Sequence, residues 1–551
     1  MIKDRLSIKK FASYLPLSIV EIIAPLGIFI FSIGLYSTTI APSLSWGFNN
    51  YGIDSGELLS AAKTLGIPHP PGYPTYTLLL HLYSNIVQIG DLAFRGNTFS
   101  TLNASITVLI IYFIIKKSCT LLEITKTRIE TIICATIGSV IITTAPLFWA
   151  NSLITEVYTL NTVFVSLLIL LSLKITEKNT KHKKLFLIFG LLSGIGIGNH
   201  LTLIFISAPL ILWITHSHQY NKKRFSLLIL GFLIGCAIYL YLPIRALSDP
   251  PINWGNPVDL KSFLWVITAE PYKNLVLGVN QSLLIARLSS WSTIILNQFT
   301  FLGLFIGLMA PPLLYKKQRW FLICSTTSMI FFLIYSITYN SMDAEVLLLP
   351  IIVIFSIWIG IGFAVITAQI KKIIQSWTNF SYIYTHIFTI TAIFVLILIS
   401  GLSITNNYKS LNLSDNQNAL EYAQAVFDKI PNQPIPSLLK GRIYYPNQAI
   451  IIADNEQHVF SLWYLLYGTK SNKKVMVISS RLLQFDWYIE QIRNQYPFQI
   501  PRNSTTNFTA HERLKNIINH NQDNVDIFFT YQTVLFPQTQ EGLIYRLETA
   551  R

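Results

Sequence analysis

The sequence predicts an all-α polytopic membrane protein of about eleven spanning helices, followed by a small C-terminal soluble α/β domain. Three observations predict it. Of 551 residues, 52% are hydrophobic and only 12% charged, about half the charged share of a soluble globular protein. Apolar runs close to the length that about 30 Å of hydrocarbon requires recur from residue 18 to residue 404. After Ile404 the composition turns to Asn, Gln, Lys and Asp, with no further spanning run.

The spans are expected near 18–40, 97–115, 131–150, 153–173, 185–198, 200–216, 225–243, 292–314, 320–338, 346–369 and 384–404. The first run is long and lacks a small-residue cleavage site, so it is expected to be retained. The segment Pro74 to Gly90 is apolar but short, and His81 and Asn85 interrupt it. It reads as a helix lying at the interface. From Leu185 to Thr215 the apolar stretch is broken only at Gly194, Gly196, Gly198, Asn199 and His200, which predicts two short helices and a break that faces protein or water.

The net charge of +15, from 41 Lys and Arg against 26 Asp and Glu, would suit a nucleic-acid partner if the cations formed one patch. They do not. One side of the expected bilayer receives Lys3, Arg5, Lys9 and Lys10, then Lys116, Lys117, Lys126 and Arg128, then Lys174, Lys178, Lys181, Lys183 and Lys184, and three more basic loops. The other side receives only Lys63, Arg95, Arg245, Lys261, Lys273 and Arg287. The asymmetry is a topology signal: the amino terminus is expected in the cytoplasm and the region after residue 405 outside it, periplasmic or lumenal. Counting Pro74 to Gly90 as a span would put the basic loop 116–128 on the wrong side. No nucleic acid is expected as a partner.

The chain thus divides into a membrane domain, 1–404, and an extracytoplasmic domain, 405–551. In the latter, Ala449 to Ala453, Val475 to Ile478 and Val525 to Phe529 read as buried strands, and Val459 to Tyr467 and Phe485 to Tyr496 as helices. Cys119, Cys134, Cys236 and Cys324 lie in or beside apolar segments without zinc or redox spacing, so no metal, cofactor or disulfide is expected.

Polar residues on the outer side collect at Tyr51 to Glu57, Pro68 to Tyr76, Asn151 to Asn161, Asn199 to Thr202, and Tyr241 to Trp254 followed by Tyr339 to Glu345. Ionisable groups at membrane depth cost several kcal/mol unless they pair or line a wet cavity, so their convergence marks a functional site. If a helix starts near Ser55, Asp54 and Glu57 flank its first turn, where the helix dipole keeps carboxylates ionised. That suits a general base; it equally suits an N-cap with its capping-box partner. His69 and Tyr73 lie in a proline-fixed loop, and His69 taken singly reads as structural. Arg245 fits a phosphate site or a headgroup anchor. Trp254 fits an aromatic belt or a sugar-stacking surface. Glu156 sits between apolar helices, Asn199 and His200 sit at a break, and Asp343 precedes a span; each reads as a site residue or as a satisfied polar group.

The run from Asp54 through Glu57 and His69-Pro70-Pro71-Gly72-Tyr73-Pro74 to Tyr76 closely resembles the signature of the transmembrane protein O-mannosyltransferases, formerly a family of unknown function. Further matches are Thr155 to Asn161, Gly198 to Thr202, Leu242 to Arg245, Pro251 to Pro257, Asp343 to Pro350 and Phe485 to Ile489. That family is similar in plan to the GT-C superfamily, whose members take a sugar from a polyprenyl phosphate outside the cytosol. The resemblance implies a GT-C-like fold with interfacial helices in the first outer loop and Asp54 as catalytic base. The expected reaction is an inverting transfer to an acceptor hydroxyl of a protein, glycan or lipid, with Asp54 and Glu57 catalytic. Arg245 and His200 would hold the donor phosphate. His69, Tyr73, Glu156, Asn199, Trp254 and Asp343 would bind substrate. The rival reading is a transporter or flippase of lipid-linked sugars, but no inverted repeat is visible and the polar residues gather on one side.

Overall fold

The computed structural model describes residues 17–177, 183–217, 222–377, 381–430, 437–439, 442–444, 449–469, 471, 473–501 and 508–548. Lys3, Arg5, Lys9, Lys10, Lys178 and Lys181, used above for topology, lie outside the described residues. Among the described residues, eight helical segments are long and apolar enough to cross a membrane, from Ser18–Ser37 to Ile387–Leu411. The other expected spans, near 131–150, 185–198 and 200–216, are the shorter helices Arg128–Thr143, Lys184–Ile197 and Ile204–Ser217.

We number the helices that position the site. Helix α1 (Leu17–Ser37) leads into the first long loop, the one expected on the outer side, which carries α2 (Ser55–Thr64) and α3 (Pro74–Ile86). Both are too short to span, as expected for interfacial helices. Next come α4 (Leu92–Leu122) and α5 (Tyr158–Ile175), buried against each other over much of their lengths. The loop 152–157 that joins the inner bundle to α5 is not helical, so the expected span near 153–173 begins later and leaves Glu156 outside it.

Helix α6 (Lys184–Ile197) ends at the expected break and pairs with α7 (Lys222–Cys236). Gly190 and Gly194 on one and Gly231 and Gly235 on the other are what permit this pairing: a Cβ on Gly190 would stand 2.0 Å from the Leu228 carbonyl oxygen, and one on Gly231 2.1 Å from that of Leu187. Small residues at this spacing let helix backbones touch where lipid supplies no hydrophobic drive. The amphipathic helix α8 (Leu260–Ile267) follows in the second long loop expected on the outer side, with Leu260 and Leu264 exposed. Helices α9 (Leu284–Leu308), α10 (Arg319–Thr338) and α11 (Leu349–Trp377) complete the bundle; α11 is buried along almost its whole apolar window.

The last apolar segment runs on past residue 404 to Leu411. Beyond it stands a small α/β layer. Strands β1 (Ala449–Ala453), β2 (Val475–Ser479) and β3 (Asp526–Phe529) are parallel, with β1 between the other two, and the hairpin β4 (Gln538–Glu541) and β5 (Ile544–Leu547) closes one edge. Ile450, Ile451 and Ile452 are wholly buried, the signature of a strand covered on both faces. Helices α12 (Glu456–Trp463), α13 (Asp486–Gln495) and α14 (Ala510–Asn521) do the covering. Their core is continuous with Ala61 of α2 and with Ile252 and Trp254 of the second outer loop.

Candidate functional site

Helix α2 starts where the first outer loop meets the soluble domain, and Asp54 occupies its N-cap position. Its side chain makes no capping hydrogen bond, so the capping-box reading fails. Glu57, one turn on, is spent elsewhere: its fully buried carboxylate accepts from the His69 backbone N–H at 3.3 Å and meets the ring Nδ1 of His69 at 2.5 Å. The other ring nitrogen, Nε2, lies 3.7 Å from Oδ2 of Asp54. One imidazole therefore bridges the two carboxylates of α2. Ser55 ties the same turn to the loop below it by donating to the Thr155 carbonyl at 2.8 Å.

His69 reaches this place because the loop that carries it is braced on both sides. The Ile67 N–H donates to Ile252 O at 2.7 Å and the Trp254 N–H to Ile67 O at 3.1 Å. After the prolines, Gly72 takes φ +86°, and a Cβ there would press on Leu242 and Val266 at 3.1 Å. Only glycine adopts that backbone cheaply. The turn carries the Tyr73 ring to 5.1 Å from the imidazole, edge-on, with Tyr272 and Trp254 at 6.1 and 6.2 Å.

Asp54 and His69 stand in the wall of a cavity of about 1200 Å³. Tyr73, Tyr158, His200, Asp343 and Glu345 line it from the membrane domain, as do Lys273, Tyr272 and Tyr339 from the outer loops. Glu456, Phe460 and Arg481 line it from the soluble domain. One side is carboxylate and phenol: Tyr158 donates to Asp343 at 3.3 Å and Tyr51 to Glu345 at 2.8 Å. Arg287 braces this side from behind, donating to the Tyr339 and Ser341 carbonyls at 2.8 and 3.2 Å. Apolar residues line the cavity too, the exposed Val276 and the 89% exposed Met342 among them.

The charges follow from the packing. Burial pushes Asp54 up to about 7; the His69 charge opposes this, and Glu456, Glu57 and Asp343 add to it. Burial alone would lower His69, but Asp54, Glu57 and Glu456 together hold it up to about 9. At neutral pH the histidine is thus an imidazolium and no base, while Asp54 titrates where a general base works best. His200 has the opposite fate: buried, and repelled by the His69 charge, it falls to about 4 and stays neutral. Its Nδ1 pairs with the Thr202 hydroxyl at 2.7 Å.

The structure thus gathers Asp54, His69, Tyr73, His200 and Asp343 around one cavity, and holds the other expected residues outside it. Glu57 sits behind His69. Trp254 lies behind the imidazole, packed at 5.7 Å on Trp487 of the soluble domain. Glu156 is 2% exposed, with one carboxylate oxygen unpartnered, and burial raises its pKa far above the usual range. Asn199 donates to the Val157 carbonyl at 3.1 Å and so steadies the loop beside Glu156. Arg245 does not line the cavity. Its guanidinium donates to Leu65 O at 2.7 Å and Thr64 O at 3.3 Å, neutralising the carboxyl end of α2.

Three lining residues from the soluble domain were not foreseen. Glu456 and Arg481 follow buried parallel strands closely, and the crevice at strand carboxyl ends is where open α/β sheets bind ligands. That rule was the available signal. Among the described residues, no group of three His, Cys, Asp or Glu side chains is arranged to hold a metal.

Residues 54–224 match the family described as the Protein O-mannosyl-transferase TMEM260 N-terminal domain. The chain is 26% identical over 499 residues to the Protein O-mannosyl-transferase tmem260 of Dictyostelium discoideum, covering 82% of this chain and 56% of that protein. It is 29% identical over 172 residues to the mouse Protein O-mannosyl-transferase TMEM260, covering 31% of this chain and 22% of that one. It therefore spans about half or less of the length of these relatives. Among crystal structures, ArnT from Cupriavidus metallidurans bound to undecaprenyl phosphate superposes with a TM-score of 0.52 at 11% identity, covering 96% of this chain and 97% of ArnT. The apo oligosaccharyltransferase of Archaeoglobus fulgidus gives 0.52 at 11% identity, covering 92% and 69%. At such identities the likeness is one of fold. The resemblance carried by the motifs is therefore borne out: from Asp54 to residue 224 the chain matches the O-mannosyl-transferase family domain, and over nearly its whole length it shares the fold of ArnT and of the archaeal oligosaccharyltransferase.

Proposed function

We propose that this protein is an inverting membrane glycosyltransferase that moves a sugar from a polyprenyl-phosphate carrier to an acceptor hydroxyl on the extracytoplasmic face. The observation that carries the reading is Asp54, a carboxylate poised at about 7 in the wall of a cavity with an imidazolium beside it. The names of the curated relatives support mannose as the sugar and a protein hydroxyl as the acceptor. The undecaprenyl phosphate of the ArnT structure supports a lipid phosphate as the carrier. The weak positive charge of the outer loops supports the side.

In the proposed reaction Asp54 takes the proton of the acceptor hydroxyl as its oxygen attacks the anomeric carbon. The bond from that carbon to the phosphate oxygen breaks, and the lipid phosphate leaves with the electron pair. A phosphate leaves without an acid but needs its charge held. Arg245, committed to the end of α2, is poorly placed for this, and neutral His200 offers at most a hydrogen bond. Besides the His69 imidazolium, which is engaged by the carboxylates of Glu57 and Asp54, the cations of the cavity wall among the described residues are Lys273 and Arg481. Lys273 pairs with Glu270, whereas Arg481 has no salt-bridge partner among the described residues, so Arg481 takes the leaving phosphate in this reading. The Asp343 and Glu345 side, rich in tyrosines, meets the sugar hydroxyls. Entry of the lipid is supported by the exposed apolar residues Val276 and Met342 in the cavity lining.

The test is transfer by the purified full-length protein, given a polyprenyl-phosphate mannose labelled in the sugar and a Ser/Thr-rich peptide. Label in the peptide is the expected result. Label that stays on the lipid, while the lipid crosses the bilayer of a vesicle containing the protein, would make it a transporter instead.

A further inference from the structure

Strands β1 and β2 lie side by side in register, Ile452 against Ile478 and Ala453 against Ser479, and the Ser480 N–H donates to Ala453 O at 2.8 Å just past their ends. Beyond those ends come Glu456, the first residue of α12, and Arg481. Asn455 fixes the start of α12, its side chain accepting from the His458 N–H at 2.7 Å. This carboxyl edge is turned to the cavity of Asp54 and His69, and Glu456 is exposed there.

The edge is held there firmly. A Cβ on Gly56, between Asp54 and Glu57, would stand 2.3 Å from the Phe460 carbonyl oxygen, so α2 and α12 touch backbone to backbone. Gln491 of α13 donates to Pro251 O at 2.7 Å, and Trp46 donates from its indole to the Ser461 hydroxyl at 3.1 Å. With the Trp254 and Trp487 rings, these contacts clamp the soluble domain onto the helix that carries the base.

Resting on the glycosyltransferase reading, we propose that Glu456 is a positioning residue of the transfer site, supplied by the soluble domain, whose negative charge sets the proton balance of the His69 and Asp54 pair. The groups that act on His69 are Asp54 and Glu57 from α2 and Glu456 from α12, with the Tyr73 and Tyr272 rings packed against it. Those that act on Asp54 are His69, Glu456, Glu57 and Asp343. Glu456 itself faces His69, Glu57, Arg481 and Asp343. Of the anions that act on the imidazole among the described residues, only Glu456 arrives from outside the membrane domain. Seating the soluble domain therefore adds a third anion to the two that α2 supplies.

Replacing Glu456 by Gln keeps the shape and removes the charge. It lowers the proton affinity of His69, which loses one of its anions, and also that of Asp54, which loses a like-charged neighbour. In the full-length protein, the NMR titration of carbon-13-labelled histidine, with the His69 signal assigned through His69→Gln, reads the first effect directly. The expected result is a His69 midpoint shifted toward acid in Glu456→Gln and regained in Glu456→Asp, with both limbs of the transfer pH profile moving the same way. A His69 midpoint in Glu456→Gln that superposes on the wild type overturns the inference, whatever the transfer rate. A shift that Glu456→Asp does not regain overturns it too, by assigning the effect to shape. The titration needs no turnover, so a wild-type protein that transferred no sugar would count against the glycosyltransferase reading and leave this result to stand or fall separately.

Discussion

His69 and Glu57 are joined twice through a single carboxylate oxygen, by the His69 backbone N–H at 3.3 Å and by its ring Nδ1 at 2.5 Å. The doubled contact fixes both the loop and the ring, and with them the direction in which Nε2 points at Asp54. Glu57→Gln keeps one acceptor but loses the charge that orients and protonates the ring. Misplacing a catalytic group by about an ångström costs on the order of 10²-fold. A loss of that order in kcat is expected, with the donor KM little changed, as measured by steady-state transfer.

Asp54→Asn removes the proposed base outright. General-base assistance contributes typically about 10² to 10⁴ in rate, so transfer should fall by that factor. Because the Asp54 side chain caps no helix, the thermal midpoint of the purified variant should match the wild type. Normal turnover by this variant would end the assignment.

The pH profile should be a bell. Activity rises as Asp54 loses its proton near 7 and falls as His69 loses its own near 9. His69→Gln removes the cation that holds the Asp54 proton affinity down. The acid limb should therefore move to higher pH in that variant, and the alkaline limb near 9 should disappear; a rate measured across that range checks both.

Two arginines should separate by what they damage. Arg245→Gln strips a charged donor from the end of α2, a contact worth about 1.5–3 kcal/mol, and should lower thermal stability before it alters the donor KM. Arg481→Gln should leave stability unchanged and raise the donor KM. The opposite pattern would return the phosphate to Arg245.

Gly56→Ala adds one carbon where the Phe460 carbonyl stands. Overpacking of this kind costs about 1–3 kcal/mol, and the strain falls between Asp54 and Glu57. Transfer should drop in a variant that still folds, and limited proteolysis should release the soluble domain more readily than in the wild type.

Much of the architecture was legible along the chain. The break at Asn199 and His200, the short helix that begins at Pro74 and the three buried strands all appear near their expected places. Gly194 did more than mark the break: it lets α6 touch α7, a role set by a partner helix that lies elsewhere in the sequence. The hairpin Gln538–Glu541 and Ile544–Leu547 escaped notice because its first strand carries no apolar residue and its second is only four residues long.

Hydropathy and charge are local quantities: each residue carries its own transfer free energy and each loop its own sign. The sequence alone therefore settled the membrane class, and the motif from Asp54 to Tyr76 singled out the carboxylate proposed as the base. Which groups surround that carboxylate is a matter of contact between distant segments, and only the tertiary structure decided it. Folding turned Glu57 to His69 and Arg245 to the end of a helix. It also brought Glu456 and Arg481 into the cavity wall beside Asp54 from a domain hundreds of residues downstream, because α12, which follows the first strand of that sheet, packs on Gly56 next to the proposed base.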